Sequence, residues 1–301
     1  MTATKANLTT LVACLALGAL STLAGQNSIL LMCSVPALVG LMMLIIAVQW
    51  VAFIPAWINH TEKFYDLVGT QTYVGTAVIG LVLAVQYGTA SWHHYVLAGA
   101  VGIWGLRLGL FLFRRGHEAG KDGRFDTIKF SFPRFFMAWT AQAAWIFLTA
   151  LPVWIILSSE RPSTVDVWVV LGTALWLIGF AVEVVADNQK AAFRAAHPDG
   201  EQWIDEGLWA LAQHPNYFGE MLLWAGLCVT GFGFYEGLEW LSLLSPIFVF
   251  GLLRFGSGVP LLQERAIQRW GEQPGFQRYL NETNLLIPLP RRRSRPVGPE
   301  Q

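Results

Sequence analysis

Eight stretches of this chain, at residues 8–25, 29–57, 72–91, 94–113, 134–157, 165–186, 217–235 and 238–256, are apolar over roughly the 20 residues that a helix needs to cross a bilayer. In hydrocarbon no water is present to bond the backbone, so such segments must satisfy their own N–H and C=O groups as helices. The pattern predicts an all-α, polytopic transmembrane helical bundle of about 7–8 spans. It divides into N-terminal helices over 1–60, a main transmembrane domain over 61–290 and a basic tail over 291–301.

Composition agrees: 54% of the 301 residues are hydrophobic and only 13% charged, a balance that few soluble domains of this size show. A net charge of zero provides no basic field for nucleic acid. Cys14, Cys33 and Cys228 are far apart within apolar runs, so neither a disulfide framework nor a metal site is expected.

The polar connections sort by charge. Those at 58–71, 114–133 and 187–216 and the "RRRSR" tail carry the Lys and Arg residues, whereas "QYGTASWHH" and "YEGLE" carry none and "SSERPSTVD" one. Under the positive-inside rule, eight spans with both termini in the cytoplasm satisfy every connection. The first window follows Lys5 and ends in "STLAG", which also suits a cleaved signal peptide. Removing it leaves seven spans with the same loop orientation.

Ionisable groups in or beside spans are costly in lipid and mark candidate sites. Four such groups occur, all on the expected cytoplasmic side. Arg107 lies inside a span, and Arg114 follows two turns later on the same helical face. Glu183, Asp187, Lys190 and Arg194 step by 4, 3 and 4, forming one stripe on a helix leaving the membrane. In "QHPNYFGE", Pro215 suits the first position of a helix, so Asn216 and Glu220 share a face near its positive end, flanked by His214 and Tyr217. After the last span, Glu264, Arg265, Arg269, Trp270, Arg278 and Tyr279 form an amphipathic cytoplasmic-side C-terminal segment. The bland readings are snorkelling arginines, a solvated helix face, a tie between helix ends and an interfacial helix.

Arg, Lys, Asp, Glu, Asn and Tyr on one membrane face suit a large polyanion with an extended hydrogen-bonding body, such as a nicotinamide dinucleotide phosphate. No Gly-x-Gly-x-x-Gly follows a strand, so a Rossmann domain would not hold it.

At these residues the chain resembles the steroid 5-alpha-reductase C-terminal-domain-like family, including its bacterial multi-pass members, over residues 63–290. The likeness rests on "FYDLVG", "LRLGLFLFRR" followed by "KDGRFD", "ALPVWII", "ADNQKAAFR", "EGLWALAQHPNYFGE" and "LLQERAIQRWGEQPGFQRYLNETNLLIPLP". It implies a helical reductase of the bacterial inner membrane that uses NADPH to saturate an activated C=C bond in a steroid-like or other lipid enone drawn from the bilayer. The implied cofactor set is Arg107, Arg114, Asp187, Lys190, Arg194, His214, Asn216, Tyr217, Glu220 and Arg265. The sterol reductases and many methyltransferases that it resembles carry Arg before His-Pro where this chain has Gln213, so the resemblance implies that this phosphate contact is either missing or supplied by Lys190 or Arg265. Tyr65, Asp66 and Tyr217 are the candidate proton donors to the enone.

Two other functions remain open on the sequence. One is an intramembrane S-adenosylmethionine-dependent methyltransferase, whose relatives share a similar His-Pro turn. The other is a non-catalytic lipid-binding membrane protein.

Overall fold

The computed structural model describes residues 3–119 and 125–291, with side chains over 4–111 and 125–291. Eleven helices occur among the described residues: α1 (Ala3–Ala24), α2 (Ala37–Ile58), α3 (Tyr65–Gln86), α4 (Trp92–Ala119), α5 (Phe132–Thr149), α6 (Leu151–Leu157), α7 (Val167–Ala196), α8 (Pro215–Val229), α9 (Leu244–Phe255), α10 (Val259–Trp270) and α11 (Pro274–Glu282). Short 3-10 turns join several of them, and the described residues form no strand beyond isolated bridges. The protein is an all-α, multi-pass membrane protein.

Among the described residues, six helical segments are long and apolar enough to span, and a bent pair raises the number to seven. The count differs from the sequence expectation because apolar windows do not record where the chain bends. The window at 134–157 is two helices, α5 and α6, meeting at 66°. Pro152 lacks the N–H that would continue α5, and the Thr149 carbonyl freed at the break accepts from Ser245 Oγ. The window at 217–235 yields α8, only 15 residues long. The last window continues past Gly256 into α10, making one segment over Gly237–Trp270.

The chain forms two compact units. The first comprises Met1–Thr173 and Leu227–Ser245, the second Ala174–Gly226 and Pro246–Gln301. In the first unit α6 is the centre, with every one of its seven side chains buried. At one end of that unit Arg161 pairs with Glu236 at 2.8 Å and with Glu239, which also accepts from Asn27 Nδ2. At the end carrying Glu62, Lys129 pairs with Glu62 at 2.9 Å beside an aromatic cluster built on Phe53, Phe125, Phe135 and Trp139.

The second unit is organised by a close crossing of α7 and α8. A Cβ on Gly219 would lie 2.6 Å from both the Glu183 nitrogen and the Gly179 oxygen, and a Cβ on Gly179 would meet the backbone of Gly219 and Leu223. Two facing glycines let the backbones touch where any side chain would hold them apart. This contact brings the carboxylate end of the α7 stripe against the first turns of α8.

Candidate functional site

The second unit contains a cavity of about 330 Å³, at the lower end of the range for small-molecule sites. Three pieces of chain enclose it: the last turns of α7, the connection 197–214, and α10 with α11. Their junction is held by hydrogen bonds to backbone carbonyls. Arg269 donates to Asp199 O (3.0 Å), Trp270 Nε1 to Gly200 O (3.1 Å), Gln273 to Glu201 O (3.3 Å) and Tyr279 OH to Trp209 O (3.0 Å). Arg291 closes the run on Ala210 O (3.1 Å) and Asp205 O (2.8 Å).

The lining has two chemistries. Lys190, Arg194, Arg265 and Arg269 supply four cations, and none of the described lining residues is a carboxylate. Phe193, Trp203, Trp209, Trp270, Phe276 and Tyr279 supply aromatic walls. Trp203 packs edge-on to Phe276 at 5.3 Å, and the Lys190 ammonium sits 4.5 Å over the Trp209 ring. Burial pushes the Tyr279 phenol well above its ordinary value, so it stays protonated.

The polar stripe of α7 therefore divides. Lys190 and Arg194 line the cavity, while Glu183 and Asp187 are buried nearer the crossing with α8. There Asn216 Nδ2 donates to Asp187 Oδ1 at 3.2 Å. α8 starts at Pro215, as the sequence predicts, and places Asn216, Tyr217 and Glu220 in its first two turns. Tyr217 stacks on His214, with ring centroids 5.5 Å apart and planes 21° apart.

Gln213 has a role that the sequence did not suggest. Its Nε2 donates to Leu280 O (3.0 Å) and Thr283 O (2.9 Å), its Oε1 accepts from Gln263 (3.3 Å), and its N–H bonds Asn284 O (2.8 Å). The side chain is a strut between the motif and the C-terminal segment, and Lys190 and Arg265 line the same cavity that it borders. His214 also lines the cavity. It is 7% exposed, and neither ring nitrogen has a hydrogen-bond partner among the described residues.

Of the expected cofactor residues, Lys190, Arg194, His214 and Arg265 line this cavity, with Asp187, Asn216, Tyr217 and Glu220 on the adjoining helices. Arg107 belongs to the first unit, on α4, with its guanidinium 5.3 Å over the Phe111 ring. The Arg114 side chain lies outside the described residues. Tyr65 and Asp66 open α3 in the first unit, where the Tyr65 hydroxyl donates to Ala138 O at 2.9 Å.

Sequence reasoning passed over Phe193, Trp203, Trp209 and Phe276, which carry no charge to set them apart from core aromatics. It also passed over Gln49, which is fully buried in α2, donates to Thr72 Oγ1 at 2.9 Å and has an Oε1 with no partner among the described residues. A neutral amide carries no charge to mark it within an apolar run.

Fold and site together define a multi-pass helical membrane protein with a cationic, aromatic-walled cavity against the end of α7. Residues 52–283 match the family described as "Protein of unknown function (DUF1295)", and the chain belongs to that family. No curated protein and no solved structure matches it.

Proposed function

We propose that this chain is an integral-membrane NADPH-dependent reductase of an activated C=C bond in a hydrophobic substrate, such as a steroid-like or other lipid enone. The observation that carries the reading is the cavity in the second unit, where Lys190, Arg194, Arg265 and Arg269 meet six aromatic side chains without a carboxylate among the described lining. Guanidinium groups bind phosphates in bidentate fashion, and aromatic walls accept a flat heterocycle. A dinucleotide phosphate needs both. S-adenosylmethionine is cationic at sulfur and has no phosphate, so four neighbouring cations would repel its reactive centre.

Bound there, NADPH would supply a hydride to the β-carbon of the enone, and a proton would complete the reduction at the α-carbon. The residues of this chain would hold the phosphates, orient the heterocycle and exclude water. The resemblance to the steroid 5-alpha-reductase-like family supports the same reaction class. The basic-loop pattern supports an orientation with both termini cytoplasmic, and the resemblance to bacterial multi-pass members supports placement in the bacterial inner membrane.

The test is thermal unfolding of the detergent-purified protein with NADPH, NADP, NADH and S-adenosylmethionine, since a ligand that binds only the folded state raises the transition. NADPH or NADP should raise it most. Stabilisation by S-adenosylmethionine alone would favour a methyltransferase and overturn the reductase reading. Stabilisation by lipids and by no nucleotide would leave a lipid-binding protein.

A further inference from the structure

The cavity is charged where it meets solvent and neutral where it is buried. Arg194, Arg265 and Arg269 are exposed, whereas Gln213 and His214 are buried. Gln213 is consumed by its bonds to Leu280, Thr283 and Gln263. His214 is not: Nδ1 and Nε2 are both buried without a partner among the described residues.

A neutral imidazole offers one N–H donor and one acceptor on separate edges of a rigid ring. Leaving both unmade in a buried position is costly. The ring is also held in place. Its plane is stacked on Tyr217, and the His214 backbone N–H donates to Leu285 O at 3.1 Å. Burial first, and then the charge of Lys190, depress its basicity to about 3, so the ring is neutral at pH 7. A neutral ring has a single donor and is poorly suited to a phosphate, which accepts only. The four cations already answer that need.

We infer that His214 reads an uncharged donor–acceptor group on the heterocyclic end of the ligand, a carboxamide, while the phosphates stay with Arg194, Arg265 and Arg269. This rests on the dinucleotide reading above and deepens it by setting the ligand's direction: the nicotinamide end lies at His214, where α8 begins, and the adenosine end lies toward the exposed arginines. The carboxamide NH₂ donates to the unprotonated ring nitrogen, which is the contact that a methyl ketone cannot make. His214 is thus a specificity-determining residue, and the selection is for the amide.

The experiment measures binding to the full-length protein in detergent of three probes. These are NADPH, its reduced 3-acetylpyridine analogue, in which methyl replaces the amide NH₂, and adenosine 2′,5′-bisphosphate, which has only the adenosine end. Wild type should bind NADPH about tenfold more tightly than the acetylpyridine analogue, the effect of leaving a buried polar group unpaired. His214→Phe keeps a ring and removes both polar atoms. It should weaken NADPH about tenfold, abolish the discrimination and leave the bisphosphate unchanged.

Equal binding of NADPH and the analogue by wild type overturns the proposal, as does a variant that weakens the bisphosphate as much as NADPH. If His214→Phe does not fold, the wild-type comparison decides, and His214→Asn, which retains a donor and an acceptor, should preserve the discrimination in part. Wild type that binds none of the three probes overturns the dinucleotide reading itself and the proposal with it. Binding of all three without selection for the amide removes the proposal alone.

Discussion

The side-chain amide of Asn216 donates to the Asp187 carboxylate at 3.2 Å, joining two residues 29 positions apart in sequence. The bond exists because Gly179 and Gly219 let α7 and α8 approach until their backbones touch. Asp187 is buried, so the loss of the Asn216 donor costs more there than it would in water. In a double-mutant cycle, Asp187→Ala and Asn216→Ala should couple by about 1 kcal/mol in unfolding free energy. Strict additivity would mean that the bond contributes nothing.

The crossing itself makes a sharper prediction. Gly219→Val places a side chain against the Glu183 and Gly179 backbone and should cost about 1–3 kcal/mol, the range for overpacking. Gly75 is the control, since a Cβ there meets nothing within 4 Å. Gly75→Ala, in the interior of α3, should be neutral or stabilising. Melting temperatures of the two variants in the same detergent test the pair.

Arg265 lines the cavity and is exposed on α10. Arg265→Ala should leave the melting temperature of the ligand-free protein unchanged and weaken NADPH about tenfold, as expected for a lost charge-assisted phosphate contact. Because the group is exposed, the deficit should shrink as salt rises. A deficit independent of ionic strength would count against a phosphate contact.

His214 has a folded-state pKa of about 3 against an ordinary 6.5. Above pH 6.5 the ring is neutral in both the folded and unfolded chain and contributes no pH dependence. Below it, the unfolded chain takes up a proton that the folded chain refuses, so stability falls as pH falls toward 3, by at most about 1.4 kcal/mol per unit. Melting temperatures measured from pH 7.5 to 4.5 should decline less steeply in His214→Asn than in wild type. Parallel slopes would place the acid sensitivity elsewhere.

Gln213→Arg should not improve NADPH affinity. It removes the amide that bonds Leu280 O, Thr283 O and Gln263, and should lower stability by about 1–3 kcal/mol. Tighter NADPH binding at undiminished stability would contradict the assignment of Gln213 as a strut.

The sequence by itself determined that the chain is helical and membrane-spanning, because long apolar runs in lipid have no other way to satisfy their backbones. It also determined that α8 opens at Pro215 and that Glu183, Asp187, Lys190 and Arg194 share one face of α7. Those are local matters, set by helical period and by the missing proline N–H. Only the tertiary structure decided how that face divides, with Asp187 turned to Asn216 and Lys190 and Arg194 turned to the cavity. Only it placed Trp203, Phe276 and Tyr279 opposite them and made Gln213 a strut and His214 a buried ring with both nitrogens uncommitted. These depend on contacts between segments 29 to 81 residues apart, and on a backbone approach that two glycines permit but do not announce.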